Sequence, residues 1–147
     1  MNVRENLRSR LLEGDHKKAV GVCIVAEDTN KVLLLLRGWA PHKDHWSLLS
    51  GGMEDGEDKL ETLKREIKEE ISIDADTKLD LKFKHTERNA DGTTFHYYEG
   101  FTPTEFIPKL DEENKDFGWY SVDDLPSPLY PKTKEKIEKA CQKNSEK

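Results

Sequence analysis

Residues 51–73, GGMEDGEDKLETLKREIKEEISI, decide how the rest of this chain is read. Leu60, Leu63, Ile67 and Ile71 recur at spacings of three and four, the period of an apolar stripe on an α-helix. Gly56 breaks the chain just ahead of that stripe, and Glu57 and Asp58 stand where a helix N-terminus favours negative charge. Glu66, Glu69 and Glu70 fall at i, i+3 and i+4, so they share one side. At roughly 100° per residue their mean direction lies about 110° from the apolar stripe. Such a helix can bury one flank and carry its acids along the edge.

Three carboxylates this close repel one another, each pair by on the order of 1–4 kcal/mol at about 4 Å. A hard divalent cation reverses that sign, and oxygen ligands suit magnesium or manganese. The plainer alternative is a solvated acidic face neutralised by Lys64, Arg65 and Lys68, because exposed pairs of this kind form cheaply. Gly51 and Gly52 favour the cation. They permit a tight turn that brings backbone carbonyls toward the same ion, and a surface helix needs no such turn.

The segment resembles the Nudix box, whose pattern is G-x5-E-x7-R-E-U-x-E-E-x-G-U with U a bulky apolar residue. Gly51, Glu57, Arg65, Glu66, Ile67, Glu69, Glu70, Ile71 and Ile73 match it in register. Ser72 stands where the family has a glycine that ends the helix, which bears on the turn rather than on the acids. Residues 118–126, GWYSVDDLP, resemble a further segment frequent in that family. The resemblance implies hydrolysis of a nucleoside diphosphate linked to another moiety, at a pyrophosphate bond, with Mg2+ (or Mn2+) as cofactor.

Carried over residue by residue, the resemblance implies that Glu66, Glu69 and Glu70 hold metal together with the backbone carbonyl of Ser50. Glu57 is expected to organise the site, paired with Arg65. One of the box carboxylates, Glu66 and Glu69 among them, is expected to hold or deprotonate water. The family also uses general bases outside the box, and Glu113, ahead of Trp119, is the candidate here, as base and as metal ligand. Its alternative is a solvated acid run, Asp111 to Glu113. An Arg can pair with phosphate and an indole can stack on a base, so Arg37 and Trp39 are candidate substrate contacts. The alternative for both, and for His42 and His45, is packing at the strand ends; for Trp46 packing is favoured.

The rest of the chain supplies a frame. A helix is expected within residues 2–14, and strands over Ala19–Ala26 and Lys31–Arg37, the second buried on both faces. A loop follows, then a short strand over Trp46–Leu49. Beyond the acidic helix, Leu79–Thr86 alternates as a half-buried strand, turns at residues 89–92 and pairs with Thr93–Phe101. Glu105–Lys109 reads as a strand or edge segment, Phe117–Val122 as a strand, and Pro131–Gln142 as a closing helix. The fold class is α/β, a Nudix-type α/β/α sandwich with a central mixed β-sheet, spanning 1–147 as one domain.

The chain has 147 residues, 34% hydrophobic and 37% charged, with a net charge of −6. That charge argues against general nucleic-acid or membrane-surface binding. Cys23 and Cys141 have no metal-like spacing and read as thiols of a reducing compartment. No apolar run approaches membrane-spanning length and the N-terminus is too charged for a signal peptide, so a cytoplasmic location is expected. The expected partner is a small-molecule nucleotide, with a nucleoside triphosphate slightly favoured over dinucleoside polyphosphates, ADP-ribose and nucleotide sugars. A homodimer is compatible with the chain. A non-catalytic nucleotide-binding module is the alternative of another class, disfavoured because every box carboxylate is kept. A calcium loop is disfavoured further, since the D-x-[DN]-x-[DN]-G spacing is missing.

Overall fold

The computed structural model describes residues 17–40 and 42–147; the helix expected within 2–14 lies outside them. The described chain runs β1 (Lys18–Ala26), β2 (Lys31–Arg37), β3 (Trp46–Ser47), β4 (Leu49–Gly52), α1 (Lys59–Ile71), α2 (Ala75–Lys78), β5 (Asp80–Arg88), β6 (Thr94–Thr102), β7 (Asn114–Tyr120) and α3 (Thr133–Ser145). The strands form one mixed sheet in the order β3-β2-β1-β6-β5, with β4 on β1 and β7 on β2. β1 and β6 are parallel and every other pairing is antiparallel.

Alternation along β1 builds both layers, since neighbouring side chains point to opposite faces. Val20, Val22 and Ile24 join Leu63, Ile67 and Ile71 of α1 in one core. Cys23 and Val25 join Ile137, Ala140 and Cys141 of α3 in the other. The sheet is therefore sandwiched between helices, as expected. Leu63, Ile67 and Ile71 are each 0% exposed, and burying each side chain is worth roughly 1.5–3 kcal/mol. β2 is buried on both faces along most of its length, as its run of leucines predicts.

Several local expectations need correction. Leu60, counted in the apolar stripe, is exposed at the start of α1. β5 is not half-buried. It is an edge strand, mostly exposed, and a register shift between Phe83 and His85 breaks its alternation. Residues 105–109 form no strand. They cross the end of α1 instead, with the Lys109 N–H donating to the Ile71 carbonyl at 3.3 Å and Trp119 donating to the Phe106 carbonyl at 2.9 Å. The Trp46–Leu49 strand divides, β3 pairing with β2 and β4 with β1. β7 starts at Asn114 and ends at Tyr120, earlier at both ends than expected, and α3 starts and ends later. Trp46 does pack, edge-on against Tyr120 at 5.3 Å.

α1 is capped at both ends. The Asp58 side chain accepts from the Glu61 N–H at 2.8 Å, and the Ser72 N–H donates to the Lys68 carbonyl. Ser72 takes the left-handed conformation, φ 59° and ψ 36°, where a Cβ is strained by roughly 1 kcal/mol. Its Oγ–H donates to the Lys109 carbonyl at 3.2 Å and recovers part of that cost. Ser72→Gly is therefore expected to raise stability by about 0.5 kcal/mol. A rise in the urea midpoint at unchanged slope checks it, and a fall shows that the hydroxyl contact outweighs the strain.

Candidate active site

Arg65 is the hub of the site. Its Nε donates to Glu57 Oε2 at 2.7 Å and its Nη2 to Glu57 Oε1 at 3.0 Å, a two-pronged pair. Nη2 also donates to the Gly52 carbonyl at 3.0 Å. Nη1 donates to Glu66 Oε1 at 3.0 Å and Glu69 Oε2 at 3.1 Å. One guanidinium thus ties the acidic turn, strand β4 and two helix carboxylates together. The helix spacing makes this work, because residues 65, 66 and 69 share a side and Gly56, at φ 87°, turns the acidic loop back toward them.

Glu57 accepts further bonds from the Glu54 N–H at 2.9 Å and the Thr62 hydroxyl at 2.8 Å. Hydrogen bonding from Arg65, ahead of these two, pulls its carboxyl from 4.5 down to about 2. The folded pKa lies below the ordinary one, so the stabilisation is present above pH 4.5 and lost as pH falls toward 2. Its size is on the order of 3 kcal/mol at neutral pH. Glu57→Gln is expected to be less stable at neutral pH and to show a flatter stability curve between those two pH values. Parallel curves for the two proteins, from urea melts at stepped pH, would remove Glu57 as the cause.

Glu66 lies directly under Gly51. A Cβ added at Gly51 would stand 2.2 Å from Glu66 Cδ, so glycine is what lets strand and carboxylate approach. The acids do not simply ride the helix edge as expected: Glu66 is 3% and Glu70 is 2% exposed. Glu70 faces β7, where Asn114 Nδ2 donates to its Oε1 at 3.0 Å. Glu113, the residue before Asn114, is also buried. The Gly38 N–H donates to the Glu113 carbonyl at 2.9 Å, and the Trp39 indole N–H to the Glu112 carbonyl at 2.9 Å. The loop after β2 and the loop before β7 are thereby clamped together beside the helix.

The remaining candidates divide between the two sides of β4. Ser50 and Gly51 line a cleft of about 350 Å³ on the α3 side, together with Leu48, Phe95, His42 and Tyr130. The Arg37 guanidinium lies 5.1 Å from the Tyr130 ring centre, and His42 meets the same ring edge-on at 4.7 Å. Trp39 keeps much of its ring in solvent while its N–H is engaged. Sequence reasoning missed Thr62, Asn114, Phe95 and Tyr130. Asn114 carries no local signal, because its partner Glu70 lies 44 positions away.

The donor set fits a divalent ion. Three carboxylates and a backbone carbonyl are all hard oxygen donors, and the glycine over Glu66 opens the approach. Among the described residues, no three of His, Cys, Asp or Glu converge closely enough to form a ready metal cage. Arg65 draws one oxygen each from Glu66 and Glu69, and Asn114 draws one from Glu70. A carboxylate bonded through one oxygen can still give its other to a metal.

Comparison with known proteins bears on the family and the fold. The NUDIX domain family model matches residues 15–141. Dihydroneopterin triphosphate diphosphatase of Escherichia coli K12 is 39% identical over 61 residues, covering 40% of this chain and 39% of that protein. The match thus spans about two fifths of that relative's length. The Haemophilus influenzae protein of the same name is 29% identical over 127 residues, covering 76% of this chain and 78% of its own. The structure of the E. coli dihydroneopterin triphosphate pyrophosphohydrolase superposes with a TM-score of 0.65 at 24% identity, covering 87% of this chain and 95% of that one, a likeness of fold.

Proposed function

The chain belongs to the NUDIX domain family, and on that premise we propose that it hydrolyses a pyrophosphate bond in a triphosphate-bearing small molecule. The single observation that carries the reading is the Arg65 hub, which joins Glu57, Gly52, Glu66 and Glu69 in one network. A surface helix with scattered ion pairs needs no such organisation. The names of the two relatives, both triphosphate diphosphatases, support a triphosphate over ADP-ribose or a nucleotide sugar.

Glu66, Glu69, Glu70 and the Ser50 carbonyl are assigned to hold Mg2+ or Mn2+. When bound, a divalent ion supplies charge neutralisation at the phosphate oxygens and an acidified water. Arg65 and Glu57 fix where those carboxylates stand, and the charge on Arg65 offsets their mutual repulsion. Glu113 takes the proton of the attacking water, from a buried position one residue before the side chain that holds Glu70. Arg37 and the exposed face of Trp39 receive the phosphate tail or ring of the substrate, with Phe95 and Tyr130 shaping the cleft behind. A cytoplasmic single-domain enzyme is part of the same proposal. Cys23 and Cys141 are both free and buried, and among the described residues no helix is long and apolar enough to cross a membrane.

A substrate panel with magnesium tests it: a nucleoside triphosphate, dihydroneopterin triphosphate, ADP-ribose and a dinucleoside polyphosphate, with phosphate, pyrophosphate and monophosphate products separated. Pyrophosphate release from a triphosphate is the expected result. Cleavage of ADP-ribose or the dinucleotide alone would replace the triphosphate assignment. In the same assay Glu113→Gln is expected to lower kcat by about 10²-fold, the scale of a lost general base. Near-full turnover would move the base to another carboxylate.

A further inference from the structure

The α3 side of the sheet carries a second, larger cavity. It holds about 720 Å³ and opens between β5, β6 and α3. Lys84 and Arg88 enter it from β5, Lys136, Lys139 and Lys143 from α3, and Lys132 from the turn before α3. Residues 136, 139 and 143 recur at i, i+3 and i+7, so one side of the helix delivers three cations to one place. The chain as a whole carries a net charge of −6, and the carboxylates lining the cavity number half its Lys and Arg side chains.

Only part of this charge is answered inside the cavity. Lys136 pairs with Glu87 at 2.9 Å and lies over the Tyr97 ring at 5.4 Å. Lys84 forms a longer ion pair with Glu99, at 3.8 Å. Lys84 also faces Lys143, and that contact holds the Lys143 ammonium below the usual lysine range. At the floor, the Tyr97 hydroxyl is buried against the Cys23 thiol, and Glu99 is 2% exposed with its Oε1 paired to Lys84. Arg88, Lys132, Lys139 and Lys143 line the same cavity beside these pairs, and such an excess of cationic donors suits a ligand that brings several acceptor oxygens. The cavity also borders the cleft at Ser50 and Gly51, because Glu87, Asn89, Lys132 and Lys136 line both.

We propose that this cavity is an anion site, separate from the carboxylate site, that takes a phosphate or pyrophosphate group, free or carried at the far end of the substrate. Binding of inorganic pyrophosphate to the intact chain tests it, by calorimetry in a chelating buffer that removes divalent ions. Submillimolar binding that weakens with salt is expected. The double variant Lys84→Ala/Lys143→Ala should bind at least about tenfold more weakly. Lys134→Ala, on another side of α3, should bind like the parent. No binding at about 10 mM, or equal binding by the double variant, overturns the proposal.

A second arm separates the two sources and rests on the hydrolytic reading. KM is compared for a nucleoside triphosphate and its 3′-phosphorylated counterpart, in the parent and the double variant. A KM rise of about tenfold confined to the phosphorylated substrate assigns the site to substrate. Equal KM values with lost pyrophosphate binding assign it to the free anion. Because the calorimetric arm contains no metal and needs no turnover, failure of hydrolysis leaves the anion site standing or falling on its own.

Discussion

Glu70→Gln is expected to lower magnesium-dependent kcat by about 10³-fold or more while leaving the fold intact. Glutamine keeps the shape of the side chain and an oxygen to accept from Asn114, which now donates to Glu70 Oε1 at 3.0 Å. What it removes is the negative charge and the anionic oxygen that would hold a divalent ion. A factor of 10³ corresponds to about 4 kcal/mol of barrier, within reach of a metal whose coordination is broken. Glu69→Gln should also lower turnover sharply. Its 30% exposed side chain makes any stability change smaller still. The check is kcat across a magnesium titration beside a urea melt of each variant. If Glu70→Gln keeps a tenth or more of its turnover at saturating magnesium, that carboxylate is not a ligand and the assignment of the trio fails.

The parts of this site that are local in sequence were the legible parts. Helix periodicity places Glu66, Glu69 and Glu70 on one side without knowledge of the fold, and α1 spans Lys59–Ile71 as that pattern requires. The Glu57–Arg65 pair came through the resemblance to a known box, and the observed bond of 2.7 Å agrees with it. Contacts between distant segments were not legible. Nothing near Asn114 says that β7 lies against α1, so the sequence gives no sign of Asn114, and it offers Glu113 only as an acid in a suggestive loop. The same limit explains the fold errors. Alternation in Leu79–Thr86 signals a strand but not whether a layer covers it, and β5 ends up on the sheet edge with Phe83 exposed. Residues 105–109 carry apolar character because Phe106 packs edge-on with Trp119 at 5.2 Å, not because they pair in the sheet. The basic cavity was invisible for the same reason, since its cations come from β5 and α3, far apart along the chain.

Gly51→Ala is the sharpest test of how strand β4 and the helix cooperate, because Gly51 and Gly52 lie in that strand and not in the tight turn expected from the sequence. The new methyl would stand 2.2 Å from Glu66 Cδ and 2.5 Å from its Oε1, so one of the two must move. Gly51 is pinned as the register partner of Val20, and the buried backbone of β4 gives little. Glu66 is the softer partner, so its carboxylate is the group displaced, and with it the contact from Arg65 at 3.0 Å. Misplacing a ligand by about 1 Å costs roughly 10²-fold or more, and overpacking a tight contact costs about 1–3 kcal/mol of stability. The expected outcome is therefore a fall in kcat of roughly 10²–10³-fold, a higher magnesium requirement and a lower urea midpoint. The magnesium requirement separates a lost ligand from a merely weakened fold. If stability falls and the magnesium dependence of turnover stays where it was, Glu66 moved without consequence and does not hold the metal. If neither changes, the strand and helix are looser than their contact implies, and glycine at position 51 is not what the chemistry requires.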